Sequence, residues 1–170
     1  MPYTGHIQRV KDGDTVVVSL DGGGAVDVRL WGIDAPETSQ PYGPAATKAA
    51  QKIASGQPCR LRALDRDRYG RVVGRVVAGG VNLGRSLVKS GYAWHDRRYA
   101  PGASRLHELE REARAEAKGL WTQANPTPPW DWRAGSSSRK TKQALRGLAT
   151  VLAWGVGTLL FFAVLVLLSV

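Results

Sequence analysis

The sequence predicts a small β-barrel with packed helices, followed by a separate apolar segment, and three observations carry that reading. Five short runs rich in valine and in alternating polarity lie within residues 5–20, 26–33, 59–65 and 71–77, separated by glycine-bearing turns. The helical patterns are few and short, so strands do not alternate with helices of about 10 to 15 residues as a βαβ sheet requires. From 147 to 170 there is no charged residue at all.

Residues 5–20 hold two of the strands, split at Asp12-Gly13, a tight-turn signal that precedes Val16, Val17 and Val18. After the turn at Asp21-Gly-Gly-Gly24, Val26, Val28 and Leu30 alternate with Asp27 and Arg29 as a half-buried strand should. A helical pattern follows over 45–55, with Pro44 suited to its first turn and Gly56 to its end. Residues 58–78 read as a hairpin turning through Arg66-Asp-Arg-Tyr-Gly70. A short helix is expected over 81–90 with Val81, Leu87 and Val88 inward, and 91–94 is a brief extended segment. Residues 104–118 form an amphipathic helix capped by Ser104, with Leu106, Leu109, Ala113 and Ala117 on one stripe and Gly119 as its stop. Leu120 and Trp121 close the core.

A chain of 170 residues suits one ordinary domain plus an addition. The expected division is a globular domain over 1–121, a basic Pro/Ser-rich linker over 122–146 and a transmembrane helix over 147–170. As a helix, the last 24 residues would measure about 36 Å, enough to cross a hydrocarbon core. Arg139, Lys140, Lys142 and Arg146 precede that span, which by the positive-inside tendency keeps the domain on the cytoplasmic side of the lipid bilayer. The N-terminus has no apolar stretch of the kind a secretory signal needs. Trp130 and Trp132 suit a membrane interface and suit packing on the domain equally.

Charge narrows the partner class. Residues 1–121 carry 19 Lys/Arg against 13 Asp/Glu, which suits a polyanion. The single cysteine, Cys59, excludes an internal disulfide and a cysteine-rich metal site, and fits small apolar packing on a strand. His6, His95 and His107 have no metal-ligand spacing. No protein partner is indicated.

The chemistry concentrates in Arg29-Leu-Trp-Gly-Ile-Asp-Ala-Pro-Glu37. It reads as a strand that enters apolar and stops at Pro36, leaving Arg29, Asp34 and Glu37 near one strand end. Period-2 geometry alone does not bring these groups together, so a turn after Asp34 is expected to do so. Asp14, just past the Asp12-Gly13 turn, is a candidate hard oxygen ligand, with Asp12 the weaker member. Isolated, an Asp-x-Pro-Glu reads most simply as a solvated surface ion pair.

Taken together, Asp12-Gly-Asp-Thr15, Arg29 to Glu37, Tyr42-Gly-Pro44, Asp67-Arg-Tyr-Gly-Arg71 and Ala117-Lys-Gly-Leu-Trp121 resemble the staphylococcal nuclease family, in order and at compatible spacing over 5–121. The resemblance implies an OB-type five-stranded barrel with about three helices and a calcium-dependent phosphodiesterase acting on DNA and/or RNA. It implies that Asp14, Asp34 and the backbone carbonyl of Ala35 hold Ca2+. Glu37 would stand beside the attacking water, and Arg29 and Arg71 would bind phosphate. Tyr69 would line the nucleotide pocket, with Arg97 nearest the position of a second pocket tyrosine and Tyr99 as its substitute. The loop between Glu37 and Tyr42 is shorter than in the secreted staphylococcal enzyme.

Phosphodiester hydrolysis asks for this set on its own terms. Its anionic oxygens repel nucleophiles, so a hard cation on carboxylate and carbonyl oxygens neutralises and orients the phosphate. Planar guanidinium forks strengthen their bonds as charge builds on the equatorial oxygens. A non-catalytic nucleic-acid or peptide-binding module on the same barrel is the alternative, expected to lack at least one of Asp14, Arg29, Asp34, Glu37 and Arg71. A purely structural membrane protein gives no reason for these charges at strand ends.

Overall fold

A computed structural model describes residues 1–135. The chain divides into two units, Met1–Pro129 and Trp130–Val170, and the first carries the fold described below. Its elements are β1 (Tyr3–Val10), β2 (Thr15–Leu20), β3 (Ala25–Leu30), β4 (Ile33–Asp34), α1 (Gly43–Ala54), β5 (Pro58–Arg66), β6 (Val72–Ala78), β7 (Val81–Asn82), α2 (Leu83–Lys89), β8 (Trp94–His95), α3 (Ser104–Ala115) and a 3-10 turn at Gly119–Thr122.

Five of the strands close into a barrel. The antiparallel order β3-β2-β1-β5-β6 curls until β3 meets β6 in parallel, with Val28 opposite Val72, Arg29 opposite Val73 and Leu30 opposite Gly74. Closure leaves neither strand a long free edge. Alternation then sorts the side chains: Val28 and Leu30 on β3 and Val72 and Val76 on β6 are buried, while Arg29, Val73 and Arg75 are half-buried on the outer face. This is the OB-type barrel expected from the sequence.

Helices seal the barrel with small or branched residues. Ala46, Ala50 and Ala54 of α1, Leu83, Leu87 and Val88 of α2, and Leu106, Leu109 and Ala113 of α3 join one core with Ile7, Val16, Val18 and Leu61. Each fully buried leucine or valine there contributes about 1.5–3 kcal/mol through water exclusion. Cys59 is buried on β5, where burial, and then Asp21, push its thiol up.

Four local expectations need correction. The strand read as running from Val26 to Pro36 breaks at Gly32, whose φ of +77° is a left-handed conformation. A side chain there would also sit 2.8 Å from Leu106 Cδ1 and 3.1 Å from Ala100 Cβ. The turn that gathers the charges therefore lies before Asp34, and Ile33 and Asp34 pair with His95 and Trp94. Ser104 is the first residue of α3 and not its cap; the preceding Ala103 makes no side-chain cap bond. Helix α3 stops at Ala115, short of 118, because Ala117 turns to a φ of +47°. Val81 lies in β7 and is 43% exposed, so it does not point inward.

Among the described residues no helix is long and apolar enough to cross a membrane. The expected span at 147–170 and residues 136–146 of the expected linker lie outside the described residues.

Candidate active site

The acidic centre forms where the β1–β2 turn, the end of β3 and the short β4 meet. Asp14 enters it because the backbone turns tightly: its N–H donates to Asp12 Oδ1 at 3.0 Å, and Lys11 N–H donates to the Thr15 carbonyl at 2.9 Å. Asp34 enters on the short β4 that follows the Trp31-Gly32 turn and pairs with β8. Both carboxylates are buried, at 5% and 0% exposure.

Arg29 joins them. Its Nη1 donates to Asp14 Oδ1 at 2.7 Å and its Nη2 to Asp34 Oδ1 at 3.0 Å. One guanidinium fork thus spans two buried carboxylates, a geometry that lysine's point charge does not reproduce. The other Asp14 oxygen accepts the Ala35 N–H at 2.9 Å, which brings Ala35 against Asp14.

Arg71 is linked to the same centre through Thr15. The Thr15 hydroxyl donates to Asp14 Oδ1 at 3.1 Å and accepts from Arg71 Nη1 at 3.2 Å. Asp67 holds the base of the Arg71 side chain, accepting from Nε at 2.7 Å, while its other oxygen accepts from the Tyr69 and Arg71 N–H groups. Desolvation pushes the Asp67 carboxyl up, but the Arg71 side chain and these two N–H groups outweigh it and leave the carboxyl below its usual range. Neither contact of Arg71 uses Nη2.

Electrostatics are strained at Asp14. Burial pushes its carboxyl up to about 6 despite the pull of Arg29, and Asp12 and Asp34 add to the rise against the Ala35 N–H. A buried carboxylate pushed up by desolvation and by neighbouring carboxylates is one that a hard cation would stabilise in its charged form. The donor set fits such an ion: two carboxylates and the Ala35 carbonyl, all oxygen. Among the described residues no three His, Cys, Asp or Glu side chains gather where they could hold a metal ion.

Glu37 follows Pro36 and is half-buried. Its backbone is held on two sides, its N–H donating to Gln40 Oε1 at 3.1 Å and its carbonyl accepting from Gln40 N–H at 2.8 Å. Gly43 packs so closely that any Cβ there would strike the Glu37 carbonyl oxygen. The loop is also tied to the end of the unit: Gln40 Nε2 donates to the Thr127 carbonyl at 2.6 Å, and the Tyr42 hydroxyl lies 2.6 Å from Thr122 Oγ1.

The pocket candidates are dispersed. Tyr69 is 69% exposed on the β5–β6 turn, with the Arg71 guanidinium 5.6 Å from its ring centre. Arg97 turns to α3, with Nη2 2.8 Å from His107 Nδ1 and 3.4 Å from Glu110 Oε2. Tyr99 is 78% exposed beneath Arg98. The structure thus brings Asp14, Arg29, Asp34, Ala35 and Arg71 together, and leaves Arg97 paired elsewhere.

Three residues support the centre in roles that the sequence does not assign them. Arg98 donates from Nη2 to Asp34 Oδ2 at 3.3 Å and to Asp96 Oδ2 at 2.8 Å. Thr15 bridges Asp14 to Arg71, and Asp67 fixes Arg71. Asp67 and Thr15 were flagged by their places inside Asp67-Arg-Tyr-Gly-Arg71 and Asp12-Gly-Asp-Thr15; Arg98 had no signal beyond standing in a basic pair.

The fold and the site together define an OB-type barrel enzyme with an acidic and arginine-lined centre. Residues 27–123 match the staphylococcal nuclease homologue family. The chain is 42% identical over 130 residues to an uncharacterized endonuclease of Escherichia coli, covering 76% of this chain and 84% of that one. It is 36% identical over 146 residues to a micrococcal nuclease of Shigella flexneri, covering 80% and 83%. It is 41% identical over 106 residues to a probable staphylococcal-like nuclease of Oryza sativa subsp. japonica, covering 62% of this chain and 32% of the other. The chain belongs to the staphylococcal nuclease family, and with it to the phosphodiester hydrolases.

Proposed function

We propose that the chain is a calcium-dependent nuclease that hydrolyses phosphodiester bonds of DNA and/or RNA, held at a membrane by residues 147–170 with its domain on the cytoplasmic side. The observation that carries the nuclease reading is the Arg29 fork across Asp14 and Asp34, joined through Thr15 to a second arginine, in a chain of this family.

Asp14, Asp34 and the Ala35 carbonyl are the groups that would hold calcium. When bound, the ion neutralises phosphate charge and orients the scissile bond. Arg71 offers its guanidinium to the phosphate oxygens, steadied by Asp67, and Arg29, whose fork holds Asp14 and Asp34, is the second phosphate-binding arginine. Glu37 accepts a hydrogen bond from the attacking water, as general base or as the group that aims it. The water oxygen bonds to phosphorus as its proton passes to Glu37 or to solvent, the opposite P–O bond breaks, and the leaving oxygen takes a proton from solvent and departs as an alcohol. Tyr69 stands beside Arg71 to meet the nucleotide, with Arg97 and Tyr99 as the remaining candidates for that pocket.

The test uses the full-length chain on single-stranded DNA and RNA, in calcium and then in chelator. Cleavage that needs calcium and is lost in Arg71→Ala supports the reading. Binding without cleavage under all conditions would assign the barrel to a non-catalytic binding module. Membrane placement has its own test: protease added outside intact cells spares a cytoplasmic domain, and digestion would overturn the orientation.

A further inference from the structure

A second basic site lies on the same outer barrel face as the catalytic arginines. Arg29 stands opposite Val73 on the closing seam, and Arg75, two residues beyond Val73, shares that face of β6; Trp31 follows the end of β3 and Arg71 just precedes β6. Along β6 the step from the level of Arg29 to Arg75 is roughly 7 Å. The closing pairing of β3 with β6 sets Trp31 beside Arg75, with Trp31 N–H donating to the Gly74 carbonyl at 2.8 Å.

Trp31 and Arg75 line a cavity of about 200 Å³, which Arg85 and Arg105 share with Asn82 and Ser104. Three arginines and no carboxylate line it. The Arg75 guanidinium lies 4.1 Å from the Trp31 ring centre, a stacked arrangement that holds the plane flat and leaves its N–H edges for an acceptor. Among the described residues Arg75 and Arg85 have no carboxylate partner, whereas Arg105 shares its charge with Glu108 and Glu112. Arg75 also stands directly opposite Arg62 on β5, a like-charged pair that an anion would relieve.

We propose that this cavity is a phosphate subsite for the nucleic-acid strand whose scissile bond lies at Arg29 and Arg71. Its size suits a single phosphodiester group better than a whole nucleotide, since pockets for larger ligands begin near 300 Å³. OB-type barrels track several nucleotides of backbone, so phosphates beyond the cleaved one need partners of this kind. Arg75 and Arg85 make the contact, and Trp31 keeps Arg75 in place. The proposal rests on the nuclease reading for its substrate and on the cavity for its location.

The experiment measures binding by the full-length chain, in chelator, to single-stranded DNA of 16 nucleotides and of 3, with inorganic phosphate as competitor. Arg75→Ala and Arg85→Ala should each weaken binding of the long strand roughly tenfold and leave the short one unchanged. The slope of log affinity against log salt should fall by about 0.7 for each contact removed. Arg75→Lys should restore part of the affinity. In calcium, KM for the long strand should rise with kcat held. Equal losses for both lengths, or none for either, would overturn the subsite. Competition by millimolar phosphate that depends on Arg75 but not on strand length would assign the cavity to a free anion instead. A wild-type chain that binds the long strand through Arg75 yet never cuts would count against the nuclease reading alone.

Discussion

Arg98 touches Asp34 from the far side of the acidic centre: its Nη2 lies 3.3 Å from Asp34 Oδ2 while Arg29 Nη2 lies 3.0 Å from Oδ1. The same Arg98 holds Asp96 through Nε at 2.9 Å and Nη2 at 2.8 Å. Two buried carboxylates therefore depend on a half-exposed guanidinium. Arg98→Ala should destabilise the fold by about 1–2 kcal/mol, a value discounted for solvent at the arginine and read from urea unfolding. Arg98→Lys should recover less than half of that, because one ammonium cannot face two carboxylates as a fork does.

Glu37→Gln keeps the shape of the side chain and removes its charge. Activity should fall by about 10²–10⁴-fold while strand binding and unfolding midpoint stay within error. Near-full activity in that variant would remove Glu37 from the mechanism.

The Asp14 carboxyl supplies a pH signature. Its folded value stands at about 6, against 3.8 as the ordinary value. Between those values the folded chain binds a proton that the unfolded chain does not. The resulting stabilisation is full at acid pH and is lost as pH rises through 6, amounting to roughly 3 kcal/mol at most. In chelator, the stability difference between wild type and Asp14→Asn should therefore shift in favour of the variant from pH 4 to 7. Unfolding curves at three pH values test this, and a difference independent of pH would contradict it.

How much of this was legible in the sequence depends on what each residue's signal was. Alternation and glycine turns located the five barrel strands, since inward and outward positions repeat every second residue. The site carboxylates stood out as charges beside turns. The Gly32 break was hidden, because Arg29 to Asp34 reads as one continuous apolar strand unless the packing of Leu106 and Ala100 against Gly32 is known. Arg98 and Val81 were hidden for a similar reason: partners distant in sequence decide where they point.

Gly43 offers a test of that packing. A methyl group there meets the Glu37 carbonyl, so Gly43→Ala should push the Glu37 loop outward, lower stability by about 1–3 kcal/mol and reduce kcat more than strand binding. Gly22→Ala, where a Cβ meets open space in the turn between β2 and β3, is the control and should leave both unchanged.

Thr15→Val should uncouple Arg71 from Asp14 at nearly constant volume. The buried hydroxyl is lost from both contacts, so stability should fall by about 1 kcal/mol and KM should rise several-fold. Kinetics on one substrate beside thermal unfolding would separate the two effects.

The parallel pairing that shuts the barrel joins the strand of Arg29 to the strand that begins just after Arg71. That seam sets the two arginines at adjoining strands of one barrel. Turnover needs both, so regain of activity after dilution from denaturant would report when the distant ends of the barrel have been brought together, without any spectroscopic label.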